Sequence, residues 1–241
     1  MNTVEQTWGP WKLALRVIDE PLEVFRQLTV RPTAWVPIVL MVLSTVFLSF
    51  ATPAENLQRQ TREQMESAQQ RAPDRITDEM VEERVERSAS VSGRALGAGV
   101  RVVWYLIAFV VVAALLMLIF GAMGAESIGF KQEFAIVTHA FMPQILGFVL
   151  LVLLMRFAGF EEPTISLSFM FDAENQTFLY MLATMLHLFG LWNMVLLALG
   201  NQVKIGAKSL SGPLAVVGGL WLVWSLLFAG LLTLLTGLGA G

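Results

Sequence analysis

KQEFAIVTHAFMPQILGFVLLVLLMR, residues 131–156, is the stretch that decides the fold. Between residues 134 and 155 only His139 can carry a charge, and a helix of this length can cross a bilayer. Lys131 and Glu133 hold one end in a polar layer, and Arg156 holds the other. The stretch therefore predicts a transmembrane helix over residues 134–156.

The composition of the whole chain indicates an integral membrane protein. It is 56% hydrophobic and only 15% charged, whereas about 25% charged residues is usual for soluble proteins. The net charge of −3 is too small to suggest nucleic-acid binding. With no cysteine, disulfides, thiol catalysis and Cys-ligated metals are excluded, and with two histidines a dedicated transition-metal site is disfavoured. The polar start of the chain lacks the pattern of a cleavable signal peptide, so we expect the first apolar run to stay as an anchor.

The apolar runs predict an all-α, polytopic membrane protein, a bundle of five transmembrane helices. We place these helices at residues 34–52, 100–122, 134–156, 178–199 and 213–236. Residues 53–99 are polar and carry two thin apolar stripes with Pro73 and Asp74 between them, which predicts a helical hairpin outside the membrane. A solvated charged loop or a flexible segment is the alternative.

Residues 1–31 mix tryptophans, aliphatic residues and basic residues. This pattern favours a short helix that lies on the membrane surface. The alternative is an ordered tail that packs on the bundle. Most basic residues of the short connecting segments lie on the same side of the membrane as the N-terminus. The positive-inside rule therefore places the N-terminus in the cytoplasm. The arginines of the hairpin conflict with that orientation.

Several polar or helix-breaking residues lie within the predicted helices, where lipid contact alone would not require them. They are His139, Pro143, Gln144, His187 and Asn193. We interpret them first as interhelical contacts and second as part of a ligand or ion path. Measured from the predicted helix ends, His139 and Asn193 lie at similar depth, which predicts a hydrogen bond between them. Pro143 is expected to kink its helix and to free a carbonyl group.

The last predicted helix carries a stripe of small residues that would let another helix approach closely. The stripe consists of Ser211, Ala215 and Gly219. No catalytic, cofactor-binding or metal-binding motif is recognisable. No acid lies centrally within a predicted helix, which argues against a proton-coupled carrier.

Three stretches resemble the Yip1 family of five-span membrane proteins. They are IDEPLEVFRQLTVRPTAWVPIVL (18–40), IGFKQEFAIVTHAFMPQILGFVL (128–150) and LFGLWNMVLLALGNQVKIGAKSL (188–210). The resemblance implies a helical bundle with a cytosolic N-terminus. Eukaryotic relatives bind Rab-type GTPases, and some prokaryotic relatives accompany ABC-type exporters. The chain lacks the Asp-Leu-Tyr-Gly-Pro motif and the long cytosolic N-terminal region of the eukaryotic pattern, so the resemblance implies the prokaryotic branch and its plasma (inner) membrane.

The function expected from the sequence is that of a non-enzymatic scaffold or accessory protein that binds another membrane protein. Its expected partners are membrane lipids and a transporter subunit or a second copy of itself, without a cofactor. One alternative is a self-contained transporter of small molecules or lipids. The other is an intramembrane enzyme, which would need carboxylates from the connection over residues 159–176.

Overall fold

The computed structural model describes residues 7–71, 73–124, 129–158, 166–170 and 178–237, without the side chains of residues 71, 169, 181 and 232–237. The described residues form α-helices, one short 3₁₀ helix (Leu167–Met170) and an isolated bridge between Ser166 and His187. The all-α prediction is confirmed. The helices are α1 (Pro10–Arg16), α2 (Pro21–Val30), α3 (Trp35–Ala51), α4 (Ala54–Arg71), α5 (Asp78–Ala89), α6 (Val91–Ala122), α7 (Phe130–Ala140), α8 (Met142–Phe157), α9 (Phe178–Met185), α10 (Leu188–Ile205) and α11 (Ser211–Gly237).

Four segments of the described chain are long and apolar enough to cross a membrane. They are α6, α7 together with α8, α10, and Ser211–Leu231 of α11. Trp35–Ala51 and Ala54–Gln70 meet at 90° and would add a fifth span only if they are taken as one bent segment. The span at residues 34–52 therefore stays a prediction.

The segment predicted as one helix over residues 178–199 forms two helices, α9 and α10. The break lies at Leu186 and His187, where the Leu186 carbonyl accepts a hydrogen bond from the Leu167 backbone N–H at 3.0 Å. This pairing with a distant part of the chain takes the place of helical hydrogen bonding. At its other end α10 continues to Ile205, where Gly206 with φ +65° closes a C-terminal cap.

The chain divides into two compact units. The first unit comprises Met1–Val42, Trp104–Leu146 and Leu188–Trp224, and the second comprises Leu43–Val103, Gly147–His187 and Ser225–Gly241. The boundaries between them fall within α3, α6, α8 and α11 and between α9 and α10.

In the first unit, α2, α7 and α10 pack against one another around a continuous apolar core. On α2, Val24, Phe25 and Leu28 occupy one face at helical spacing, and all three are fully buried. The apolar face of α2 thus contacts protein, which fits a packed N-terminal tail better than a helix on the membrane surface. On α1 the outward face remains exposed.

In the second unit, α4 and α5 pack side by side as a helical hairpin. The Arg62 guanidinium donates two hydrogen bonds to the Glu82 carboxylate, at 2.6 and 3.0 Å, and lowers the pKa of that carboxyl. The Thr77 side chain caps the start of α5 by accepting a hydrogen bond from the Met80 backbone N–H. Val81 and Val85 form the buried seam of α5. These contacts hold α4 and α5 in one fixed arrangement, so that the exposed side chains of the hairpin keep defined positions.

Two arginines from other helices satisfy the carbonyl groups at the end of α3. Arg94 of α6 donates from Nη1 to the carbonyls of residues 49, 50 and 52 at 3.2, 3.1 and 2.9 Å. Arg156 of α8 donates from Nε to the Ala51 carbonyl at 2.8 Å. The last carbonyls of a helix have no partner within it, so the two guanidinium groups let α3 end where the chain turns into α4.

The junction between α5 and α6 requires glycine at position 93. A Cβ there would lie 1.9 Å from the backbone oxygen of Arg87. We expect Gly93→Ala to lower the free energy of unfolding by about 1–3 kcal/mol, because the backbone must shift to admit the methyl group. The measurement is hydrogen–deuterium exchange of the α5 amides, which should become faster.

Gly97→Ala is the matched control for this prediction. A Cβ at Gly97 of α6 would meet nothing within 4 Å. Because alanine favours a helix interior over glycine by about 1 kcal/mol, this variant should exchange no faster than the parent. Equal acceleration in both variants would contradict the steric explanation.

Candidate functional site: a buried Glu133, Asn201 and Lys204 cluster

Glu133 on α7 is a fully buried carboxylate in the first unit. It occupies the first turn of α7, where the partial positive charge of the helix N-terminus favours an acid. Lys204 lies in the last turn of α10, where the opposite partial charge favours a base. Both charges therefore lie at helix ends that stabilise them.

In the Glu133 cluster (Glu133, Asn201 and Lys204), the glutamate carboxylate contacts both of the other side chains. Lys204 Nζ lies 2.6 Å from Glu133 Oε2, and the two side chains are 5% and 0% exposed. Asn201 Nδ2 donates to Glu133 Oε1 at 3.0 Å and to the Leu197 carbonyl, also at 3.0 Å. Each carboxylate oxygen has a donor, so the cluster ties α7 to α10 through two charge-assisted hydrogen bonds.

Close packing brings the two helices together beside this cluster. A Cβ at Gly200 of α10 would lie 2.4 Å from Cγ2 of Ile136 on α7 and 3.2 Å from the Phe25 ring of α2. Only a residue without a side chain lets the three helices approach this closely. The absence of a Cβ at Gly200 thus positions Asn201 and Lys204 for Glu133.

His139 and Asn193, which the sequence analysis predicted to be hydrogen-bonded to each other, do not form that bond. His139 Nδ1 lies 2.8 Å from the Ala135 carbonyl, one turn earlier on α7. No described residue bonds His139 Nε2 or Asn193 Oδ1. The prediction was wrong because both helices extend beyond the ends used to measure depth. Ile136 of α7 lies against Gly200 of α10. His139 is three residues after Ile136, whereas Asn193 is seven residues before Gly200. Measured from this contact, the two side chains therefore differ in depth by four residues, or about 6 Å.

The predicted third helix is interrupted at Phe141, two residues before Pro143, but the carbonyl expected to become free accepts a hydrogen bond. α7 ends at Ala140, α8 begins at Met142, and Pro143 is the second residue of α8. Proline has no N–H to donate to the carbonyl four residues earlier, that of His139. The Phe141 backbone N–H donates to that carbonyl instead. The backbone N–H of the half-buried Gln144 donates to the Phe141 carbonyl at 2.9 Å, an i→i−3 bond that tightens the first turn of α8.

His187 lies in the second unit, at the break before α10, and is half-buried. Its place there is set by the backbone bridge to Ser166. Among the described residues, no three His, Asp or Glu side chains form a group that could hold a metal ion.

The comparison with protein families decides the identity of the chain. A model of the Yip1 domain matches residues 15–232 of the 241 residues. The chain belongs to the Yip1 family. The resemblance seen in the sequence is thereby confirmed, and with the apolar helices described above it makes the chain a Yip1 family membrane protein. Neither the curated proteins nor the solved structures contain a significant match to it.

The Glu133 cluster lies within the Yip1 domain, and its residues are not among the site residues predicted from the sequence. Glu133 was interpreted as an anchor in the polar layer, and the helix containing Asn193 was expected to end before Asn201. A signal was present, since Asn201 and Lys204 follow Leu197, which packs against the core, at i+4 and i+7 on the same helix face.

The small-residue stripe of the Yip1 domain is exposed. Ser211, Ala215 and Gly219 face outward from α11, and a Cβ at Gly219 would meet nothing within 4 Å. Pro213 and Val217 form the buried face of α11 instead. No described helix therefore covers the stripe, and its role in helix packing stays a prediction for a partner.

Proposed function

We propose that this protein is a non-enzymatic membrane scaffold or accessory protein that binds another integral membrane protein. An ABC-type exporter is the partner class that the resemblance suggests. The observation that supports this proposal most is the hairpin of α4 and α5. It is held by its own packing and by the Arg62–Glu82 pair, and it leaves rows of charged side chains exposed.

The Glu133–Lys204 pair supports a static role for these two buried charges. A coupling acid in a carrier needs to exchange its proton or ion during transport. Glu133 has a donor on each oxygen, and its lysine partner is almost fully buried. The cluster fits a structural connection between α7 and α10 better than a site of exchange.

We further propose that the protein lies in a prokaryotic plasma membrane with its N-terminus in the cytoplasm. The short segments near Lys131 and Lys208 would then be cytoplasmic, as the positive-inside rule favours. Under this orientation a span over residues 34–52 would place the hairpin on the opposite side of the membrane.

Site-specific photo-crosslinking in native membranes tests the scaffold proposal. Photoreactive residues replace the exposed Glu66 of α4 and Glu79 of α5, and the matched control replaces the exposed Lys208 between α10 and α11. We expect one defined membrane protein to crosslink at both hairpin positions and not at Lys208. Self-crosslinks alone, or the same products at all three positions, would overturn the proposal.

A self-contained transporter is the second candidate, and three buried acceptor atoms favour it. They are His139 Nε2, Asn193 Oδ1 and Asn201 Oδ1, none of which has a hydrogen-bond partner among the described residues. Buried acceptors of this kind are satisfied by water or by a ligand. Two variants separate the two functions. Deleting the hairpin should abolish co-purification of the partner if the protein is a scaffold, and should leave transport intact if it is a carrier. His139→Ala should abolish transport by a carrier and leave the partner of a scaffold bound.

A further inference from the structure

The outward face of α1 carries apolar side chains that no described residue covers. Trp11 is 50% exposed and Leu15, one turn later, is 63% exposed. The opposite face is fixed, because Leu13, Ala14 and Val17 are buried in the core of the first unit. The orientation of α1 is therefore set by packing, and Trp11 and Leu15 point outward in a stable arrangement.

The outward face of α1 lies beside the start of the apolar helix α3, because the rings of Trp11 and Trp35 are in contact. Trp11 meets Trp35 edge to face, with ring centroids 5.6 Å apart. Trp35 is the first residue of α3, a helix of 17 residues without a charged side chain. Tryptophan is enriched at the level of the lipid headgroups, where its ring is apolar and its N–H is wet. The contact sets Trp11 at the same level as Trp35.

The surface of the first unit is basic in its described residues. Six basic side chains lie on it, at positions 12, 16, 26, 31, 131 and 208, and three acidic ones, at positions 19, 20 and 23, while Lys204 and Glu133 are buried. Arg16 pairs with Asp19 and Glu20, Arg26 with Glu23, and Lys204 with Glu133. Within the described ranges no acid pairs with the other four, Lys12, Arg31, Lys131 and Lys208. Lys12 Nζ lies over the Trp8 ring, 4.2 Å from its centroid, a contact that does not neutralise its charge. The charge of all four residues can therefore attract an anionic surface.

We propose that the outward face of α1, formed by Trp11 and Leu15, lies in the headgroup layer of an anionic phospholipid bilayer, beside Trp35. Lys12, which follows Trp11 on the exposed side of α1, and Arg31, just before α3, attract the lipid phosphates. A bilayer is the occupant that fits this face, because α3 begins at the Trp11–Trp35 contact, carries no charged side chain and leaves Trp35 and Val39 exposed. This inference does not depend on the proposed function.

The first experiment uses the absence of cysteine in the chain. Leu15→Cys labelled with the fluorophore NBD is reconstituted in nanodiscs, and Arg26→Cys on the exposed side of α2 is the matched control. We expect blue-shifted emission at position 15, quenched by lipids brominated near the glycerol, and water-like emission at position 26. Water-like emission at position 15, or a blue shift without lipid quenching, would overturn the proposal, the latter because a protein then covers the face.

The second experiment tests the preference for anionic lipid. Spin-labelled phosphatidylglycerol should quench NBD at position 15 several-fold more strongly than spin-labelled phosphatidylcholine. Adding Lys12→Gln and Arg31→Gln should make the two lipids quench equally while the emission stays blue-shifted, which shows that the fold is intact. Arg84→Gln, an exposed arginine of α5, should leave the preference unchanged. An unchanged preference in the double variant would overturn the role of the two basic residues.

Discussion

Glu133→Gln is expected to lower the free energy of unfolding by about 3–5 kcal/mol, because it leaves the buried Lys204 ammonium without its counter-charge. Glutamine keeps the size of the side chain, so the effect reports charge and not volume. The measurement is unfolding in mixed detergent micelles followed by the fluorescence of the seven tryptophans. A variant as stable as the parent would show that Lys204 reaches water in the folded protein.

A double-mutant cycle isolates the ion pair from other effects. Lys204→Met should be destabilising for the same reason, since it leaves Glu133 as an uncompensated buried charge. The double variant Glu133→Gln with Lys204→Met should lose much less than the sum of the two single losses, because neither charge remains buried alone. Additive losses would contradict direct coupling between the two side chains.

Gly200→Ala is the second change for which we expect a large effect. The added methyl group would overlap Cγ2 of Ile136 at 2.4 Å and press on the Phe25 ring at 3.2 and 3.3 Å. Both neighbours are fully buried, and Ile136 is stiff because it is branched at Cβ. We expect a loss of about 1–3 kcal/mol in the free energy of unfolding, measured as above.

Two further variants show whether this overlap is the cause. Gly219→Ala adds the same methyl group to a helix position with nothing within 4 Å, so it should not be destabilising. Ile136→Leu removes the branch at Cβ, and in the Gly200→Ala background it should recover part of the lost stability. A failure of Ile136→Leu to restore any stability would point to a different origin for the loss.

The class of protein could be predicted from composition and apolar run length alone. Long uncharged stretches in a chain of low charge predict transmembrane helices, because a helix satisfies its own backbone hydrogen bonds in lipid. The hairpin was also predictable, since its two stripes have helical spacing and a proline between them. The interruption near Pro143 followed from the missing N–H.

The candidate site could not be predicted because it depends on tertiary register. Glu133 and Lys204 are 71 residues apart, and whether either is buried depends on how far α7 and α10 extend past their apolar runs. The break at Leu186 and His187 depends on a backbone pairing with Leu167, which no local pattern contains. The error at His139 and Asn193 has the same origin, because depth along two helices says nothing about their faces or true ends.

The arginines at the end of α3 make the hairpin a replaceable module. Arg94 and Arg156 belong to α6 and α8, so the groups that terminate α3 are not supplied by the segment between α3 and α6. A short flexible linker in place of residues 54–88 would leave both guanidinium groups and their carbonyl acceptors in the chain. We therefore expect α3 to keep its end when sequences of quite different length and charge are exchanged at this point, which makes it the natural place in the chain to insert a reporter.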